Sequence, residues 1–251
     1  MALNLIMLGP PGAGKGTQAE RLARSRGIPK ISTGDILREA VAEGTDIGRR
    51  AKAVMARGEL VGDDVMIGIV RERLERPDAA GGFVLDGFPR TVAQAAALDQ
   101  VMTGRDPLIV VDIVVPEAEL VRRLASRMIC ADCGVNAGNF ADVAAPAMTA
   151  VARGGAAAPE AIAAVQAQPD PKRCRRCGGR LVQRTDDTDG VVTERLKVYH
   201  RQTRPLVKYY RTRPTFRSID GAQSADRVAA ELAAAIESAR GARSGAEGTV
   251  R

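Results

Sequence analysis

Between an apolar run, Leu3 to Leu8, and a segment of helical spacing, Lys15 to about Arg26, lies the stretch Gly9-Pro-Pro-Gly-Ala-Gly-Lys-Gly-Thr17. In such a strand-loop-helix setting, glycines let successive backbone N–H groups turn inward onto an anion. The helix N-terminus adds partial positive charge, and Lys15 reaches the outer oxygens. The loop reads as a phosphate cradle of the Walker A kind, fed by a buried parallel strand. The residue after Lys15 is Gly16, with Thr17 one place later, so no hydroxyl directly follows the lysine. A magnesium ion accompanying the phosphates is then expected to be held by phosphate and water. Asp86, closing the apolar strand Phe83-Val84-Leu85, and Asp35 are the carboxylates expected to orient those waters.

The remaining pattern repeats strand and helix in turn. After a short extended Pro29 to Ile31, helical stretches run from Asp35 to Leu74. A strand over Gly82 to Asp86, a helix from Thr91 to about Met102, a strand over Leu108 to Val115 and a helix over Glu117 to Arg127 follow. Val191 to Tyr210 has helical spacing, Phe216 to Ile219 reads as a last strand, and Ala225 to Arg240 as a closing helix before a frayed tail, 241–251. This order predicts an α/β fold of the P-loop NTPase type, a parallel sheet covered by helices on both faces.

The alternation stops between Met128 and Gly190, where both cysteine pairs sit: Cys130-Ala-Asp-Cys133 and Cys174-Arg-Arg-Cys177. Two Cys-x-x-Cys knuckles suit a tetrahedral thiolate site, and four cysteine ligands leave no open position, so the expected zinc is structural. The knuckles stand 40 residues apart, against the usual ~15 to 20. The excess coincides with 141–171, which holds 13 alanines and 4 prolines and reads as an inserted surface loop, with a short helix over Glu160 to Gln168 as one option. A longer loop adds only about 0.6 kcal/mol of closure cost per doubling.

Two further turns carry an arginine beside a strand end: Ile31-Ser-Thr-Gly-Asp35 with Arg38, and Asp86-Gly-Phe-Pro-Arg90 with Gln94. A guanidinium fork matches phosphate oxygens, and a glutamine amide can pair with a purine edge. With these segments and Arg184-Thr-Asp-Asp187 in view, the chain resembles the adenylate kinases over nearly its whole length. It is most similar to the long form whose lid carries a four-ligand zinc site.

The resemblance implies reversible phosphoryl transfer from MgATP to AMP, giving two ADP. It also implies a core of 1–31, 62–127 and 191–240, an AMP-binding insert over 32–61 and a lid over 128–190. Donor contacts are expected at Gly12, Ala13, Gly14, Lys15, Gly16 and Thr17, with Arg123, Arg127 and Gln223 toward the donor base. Acceptor contacts are expected at Thr33, Arg38, Glu59, Leu60, Val61, Gly87, Arg90 and Gln94. Arg184 and Arg195 are expected to close over the phosphates, and the Phe88–Pro89 bond to be cis. Lys15, Arg90, Arg127, Arg184 and Arg195 are the expected catalytic charges. No general base is needed, because a phosphate monoester with a second pKa near ~6 is already ionised at neutral pH.

Other chemistries fit less well. With His200 as the single histidine, Ser-His-Asp and Cys-His hydrolases are disfavoured. Pro171 to Arg217 carries 14 basic residues against 4 acidic, which keeps open an RNA-binding P-loop ATPase, yet Tyr and Phe total only 7 for base stacking. A kinase for UMP or CMP is the nearer alternative. No run of about 18 apolar residues and no signal peptide is visible, so the expectation is a cytoplasmic monomer that binds ATP, AMP and ADP and neither membrane nor nucleic acid.

Overall fold

The computed structural model describes residues 2–136, 173–184 and 186–244. The alanine- and proline-rich 141–171, with the helix considered inside it, and the tail past 244 lie outside the described residues. In chain order the elements begin β1 (Leu3–Leu8), α1 (Lys15–Arg26), β2 (Lys30–Ser32), α2 (Thr33–Glu43), α3 (Asp46–Ala56), α4 (Asp63–Glu75), β3 (Gly82–Asp86) and α5 (Val92–Val101). They continue with β4 (Leu108–Val114), α6 (Glu117–Ala125), β5 (Met128–Cys130), β6 (Leu181–Gln183), α7 (Asp189–Val198), α8 (Pro205–Tyr210), β7 (Phe216–Asp220) and α9 (Ala225–Ser244). The described residues fall into two compact units, the larger drawn from 2–126 with 186–244 and the smaller from 127–136 with 173–184. The expected lid boundary at 190 therefore runs six residues past the observed division.

In the larger unit five strands form one sheet in the order β2-β3-β1-β4-β7, every pair parallel. Parallel strands need helical crossovers, and these cover both faces, so β1 is buried at every residue. Its alternate side chains enter two different cores. Leu3, Leu5 and Met7 pack with Ala19 and Leu22 of α1 and with Leu232 and Ile236 of α9. Ile6 and Leu8 pack with Val70 of α4, Leu98 of α5 and Tyr210 of α8. A shift of one residue in register would exchange these sets, so the burial on both sides fixes the strand in place.

The helical stretches expected from Asp35 to Leu74 are three helices, α2 to α4. α2 ends at Gly44, whose backbone is left-handed, and Thr45 caps α3 by accepting from the Gly48 N–H at 3.1 Å. Gly48 then packs so closely on α2 that a Cβ there would lie 1.9 Å from the carbonyl oxygen of Ala40. Gly48→Ala is expected to push the two helices apart and destabilise the fold by about 1–3 kcal/mol in urea titration. An unchanged midpoint would argue against this close approach.

The run expected as helix from Val191 to Tyr210 is α7 and α8 joined by a π-helical turn, Tyr199–Thr203, in which the Arg204 N–H donates to the Tyr199 carbonyl at 2.8 Å. Pro205 accounts for the break: it has no N–H to continue the ladder, and its ring crowds the carbonyl four residues back. In the smaller unit β5 and β6 pair antiparallel, with bridges Ile129 to Asn136 and Arg173 to Arg180 beside them.

Candidate active site

Three strands of the sheet end on segments singled out by sequence: β1 runs into the glycine loop, β2 into Thr33, and β3 into Asp86-Gly87. In a parallel sheet the carboxyl ends of the strands open a crevice where the connections diverge to opposite sides, as they do here around β1. The loop is shaped by its glycines. Gly9 and Gly12 have φ of 137° and 85°, and a Cβ on Gly9 would stand 2.7 Å from the Ile113 carbonyl oxygen. Lys15 curls back across the loop, its Nζ donating to the carbonyls of Gly9 and Pro10, each at 2.8 Å. A Cβ on Gly16 would lie 3.2 Å from Asp86 Oδ2, so the glycine after the lysine leaves room for that carboxylate against the loop.

Beside the loop the larger unit holds a solvent-open cleft. Lys15, Thr33, Arg38, Glu59, Leu60, Val61, Gly87, Arg90, Gln94 and Arg195 all line it, bringing one expected donor residue, Lys15, and all eight expected acceptor contacts to one place. Met55 and Met66 add apolar wall. The Thr33 hydroxyl and the Arg90 Nε both donate to the Gly87 carbonyl, at 2.8 and 2.9 Å. The peptide between Phe88 and Pro89 is cis.

Charges in the cleft are arranged for an anion. Desolvation and the nearby Arg195 pull the Arg90 guanidinium down to about 10; Asp86 acts the other way and Arg38 reinforces the drop. Arg195 is held by the buried Asp187 carboxylate at 2.8 Å and by Asp186 through its carbonyl at 2.9 Å and its carboxylate at 3.1 Å. Burial would raise the Asp35 carboxyl, but Arg38 and Lys30 outweigh it and hold the group at about 2. Asp35 thus faces Arg38 and, at 3.3 Å, Lys30.

Two carboxylates, Asp63 and Asp112, escaped the sequence. Gln94 is only 1% exposed; its Oε1 accepts from the Arg90 backbone N–H at 2.7 Å, and its Nε2 donates to Asp63 Oδ1 at 2.8 Å. Asp112, 6% exposed on β4, has one oxygen, Oδ1, without a hydrogen-bond partner, and burial pushes its carboxyl up against the pull of Lys15 and Arg204. The first acid of Gly62-Asp-Asp64 reads locally only as a helix start, and an aspartate inside an apolar strand has no periodic signature.

Two residues expected toward the donor base are tied within the larger unit. Arg123 Nε bonds Glu119 at 2.7 Å along α6, and Gln223 Nε2 bonds Glu231 at 2.8 Å beside α9. Arg127 and Arg184 belong to the smaller unit.

The smaller unit gathers Cys130, Cys133, Cys174 and Cys177, all free thiols, with the four sulfurs within 4.8 Å of one another. The Cys130–Cys177 and Cys133–Cys174 sulfur pairs are 3.4 and 3.6 Å apart. Thiolates at about 2.3 Å from a tetrahedral zinc would be about 3.8 Å apart, so the quartet has the size of such a site. Burial opposes ionisation of Cys130, but backbone N–H groups of Cys133 and Asp132 aimed at its sulfur bring the thiol down to about 7. A Cβ on Gly179 would sit 2.8 Å from Cys130 Sγ, so this glycine keeps the cradle clear. The four cysteines could hold a metal ion.

Comparison with known proteins agrees with this geometry. The family model described as adenylate kinase matches residues 7–215. The adenylate kinase of Archaeoglobus fulgidus is 45% identical over 238 residues, 94% of this chain and 98% of the relative. That of Geobacter sp. strain M21 is 47% identical over 93% of this chain and 99% of the relative, and that of Moorella thermoacetica 44% over 93% and 98%. A glycine loop, an arginine-lined cleft and similarity along almost the full length of these enzymes meet in one conclusion: the chain belongs to the adenylate kinase family.

Proposed function

We infer that this chain is a nucleoside monophosphate kinase that transfers the terminal phosphoryl group of MgATP to AMP, reversibly, giving two ADP. The observation that carries the reading is the cleft itself, where the loop lysine, Arg38, Arg90 and Arg195 share one cavity with the amide of Gln94. Phosphoryl transfer between two polyanions demands that arrangement, since repulsion must be offset before the oxygens align.

In this reading Gly12 to Thr17 cradle the donor phosphates, and Arg123, Arg127 and Gln223 serve the donor base. Thr33, Arg38, the Glu59–Val61 backbone, Gly87, Arg90 and Gln94 hold AMP, with Arg38 and Arg90 on its phosphate and Gln94 on its base. Arg184 and Arg195 complete the positive charge around the transferring group. Magnesium arrives with ATP and neutralises phosphate charge; Asp86, beside Gly16, is the better placed to orient its waters, while Asp35 is drawn to Lys30 and Arg38. The core is assigned to 1–31, 62–127 and 191–240, the AMP insert to 32–61 and the lid to 128–190. A cytoplasmic monomer, acting without nucleic acid or membrane, completes the reading; no helix among the described residues is long and apolar enough to cross a membrane.

A coupled assay with ATP as donor and AMP, GMP, CMP or UMP as acceptor tests the assignment. AMP is expected to lead in kcat/KM by about a hundredfold or more, as a hydrogen-bonding base site requires. A lead for UMP or CMP would transfer the chain to another nucleotide class.

The cysteine quartet is assigned a structural zinc, which ties together a unit with little core of its own. Metal analysis is expected to find about one zinc per chain. Cys174→Ser is expected to lose it and to make 127–184 protease-sensitive, because metal binding there is folding free energy. Full resistance without metal would sink the assignment.

A further inference from the structure

Gln94 reaches the cleft with an amide whose orientation is dictated chemically. A carboxylate can only accept and a backbone N–H can only donate, so Nε2 must face Asp63 Oδ1, at 2.8 Å, and Oε1 must face the Arg90 N–H, at 2.7 Å. Asp63 is itself held, since its other oxygen accepts from the Thr91 hydroxyl at 2.9 Å. That hydroxyl also caps α5, accepting from the Gln94 N–H at 3.2 Å. Helices α4 and α5 are thus joined through the residue that turns the amide.

Each bond uses one of the two donors and one of the two acceptor sites that an amide owns. One N–H and one lone pair are left for a ligand. A 6-aminopurine offers a donor at its exocyclic group and an acceptor at the adjacent ring nitrogen. On its N1 edge a 6-oxopurine in the same pose offers the reverse, an acceptor at O6 and a donor at the protonated N1. A glutamine free to flip would serve either base. One that flips here would set its NH2 against the Arg90 N–H and its oxygen against the Asp63 carboxylate, breaking two bonds and opposing two pairs of like dipoles.

We propose that Asp63 is a specificity-determining positioning residue: by accepting from Gln94 it locks the amide in one orientation, so that the acceptor pocket discriminates between 6-amino and 6-oxo purine monophosphates. The proposal rests on the reading that the cleft takes AMP, and it adds a residue that touches no substrate. Without this acceptor the orientation depends on the Arg90 N–H alone.

The test compares AMP with IMP, which differs only at that edge, in the full-length wild type, Asp63→Ala and Asp63→Asn. Asparagine keeps an oxygen that Gln94 Nε2 can reach, and alanine does not. The wild type is expected to prefer AMP by about a thousandfold in kcat/KM. Asp63→Ala is expected to cut that ratio about tenfold or more, the worth of one hydrogen bond, through a higher KM for AMP and a better rate with IMP, with kcat for AMP within about threefold. Asp63→Asn should keep most of the selectivity. Where alanine at this helix start fails to fold, Asp63→Ser preserves the helix start with a side chain too short for the lock.

An unchanged AMP-to-IMP ratio in the alanine or serine variant overturns the lock, and so does an equal loss in the asparagine variant, since charge rather than the accepting oxygen would then be at work. A wild type that phosphorylates IMP as well as AMP also overturns it. A wild type inactive on every purine monophosphate but active on a pyrimidine instead overturns the reading of the cleft, so the two failures are distinct.

Discussion

Lys15→Ala is expected to lower kcat/KM by about a hundredfold or more while the circular dichroism spectrum and melting temperature stay near those of the parent. The ammonium stands 2.8 Å from the carbonyls of Gly9 and Pro10, held over the loop before any phosphate arrives. Charge positioned in advance needs no reorganisation during the reaction, and removing one such group from an active site typically costs about 10² to 10³ in rate. The fold does not depend on it, because β1 and α1 are secured by Leu5, Met7, Ala19 and Leu22 in the core. Steady-state rates with ATP and AMP, beside a thermal melt, decide the matter; near-parental turnover would remove Lys15 from the mechanism.

Arg90→Ala should separate stability from activity more sharply still. A base whose pKa is depressed on folding costs stability at neutral pH, where its charged form is disfavoured relative to the unfolded chain. Arg90 is in that position, lowered to about 10 by desolvation and by Arg195, with Arg38 adding to the effect. The cost is offset when a phosphate dianion enters among these guanidinium groups. The alanine variant is therefore expected to melt at or above the parental temperature without nucleotide, yet to lose about 10² to 10³ in kcat/KM for AMP. Arg90→Lys should rescue little, because an ammonium lacks the planar fork and the Nε donor that bonds Gly87 at 2.9 Å. A variant that loses stability and activity in proportion would mark Arg90 as a structural residue.

Local signals made much of the architecture readable. The sheet follows from apolar runs that end in glycine or aspartate and alternate with helical spacing, and the strands over 3–8, 82–86 and 108–114 fall within a residue of expectation. Breaks inside helical stretches were less visible. Gly44 ends α2 in a region that otherwise keeps helical periodicity, and the π turn before Pro205 interrupts a pattern whose apolar residues still recur at helical intervals. Periodicity reports which face is buried, and a short break that preserves the face leaves it almost unchanged.

In the cleft the division is similar. Lys15, Arg38, Arg90 and Gln94 could be named from motifs because each follows a strand end within a few residues, where a parallel sheet gathers ligands. Asp63 could not: it stands 31 residues before Gln94, and its carboxylate meets the amide only because α4 packs on α5. Nor could the need for glycine at 48, which depends on a carbonyl of another helix.

What the order of residues determined alone was the set of chemical groups and their local backbone: a glycine loop that curls around an anion, strands with two apolar faces, and two knuckles that each present a pair of thiols. These depend on interactions among near neighbours in the chain, which the same short segment makes wherever it occurs. The folded molecule decided which groups face one another across long separations: Asp63 against Gln94, Asp86 against Gly16, and all four sulfurs within 4.8 Å. Such meetings are set by how whole helices and strands pack, and no propensity or period in the sequence encodes the ångström-scale distances on which hydrogen bonding and charge stabilisation depend.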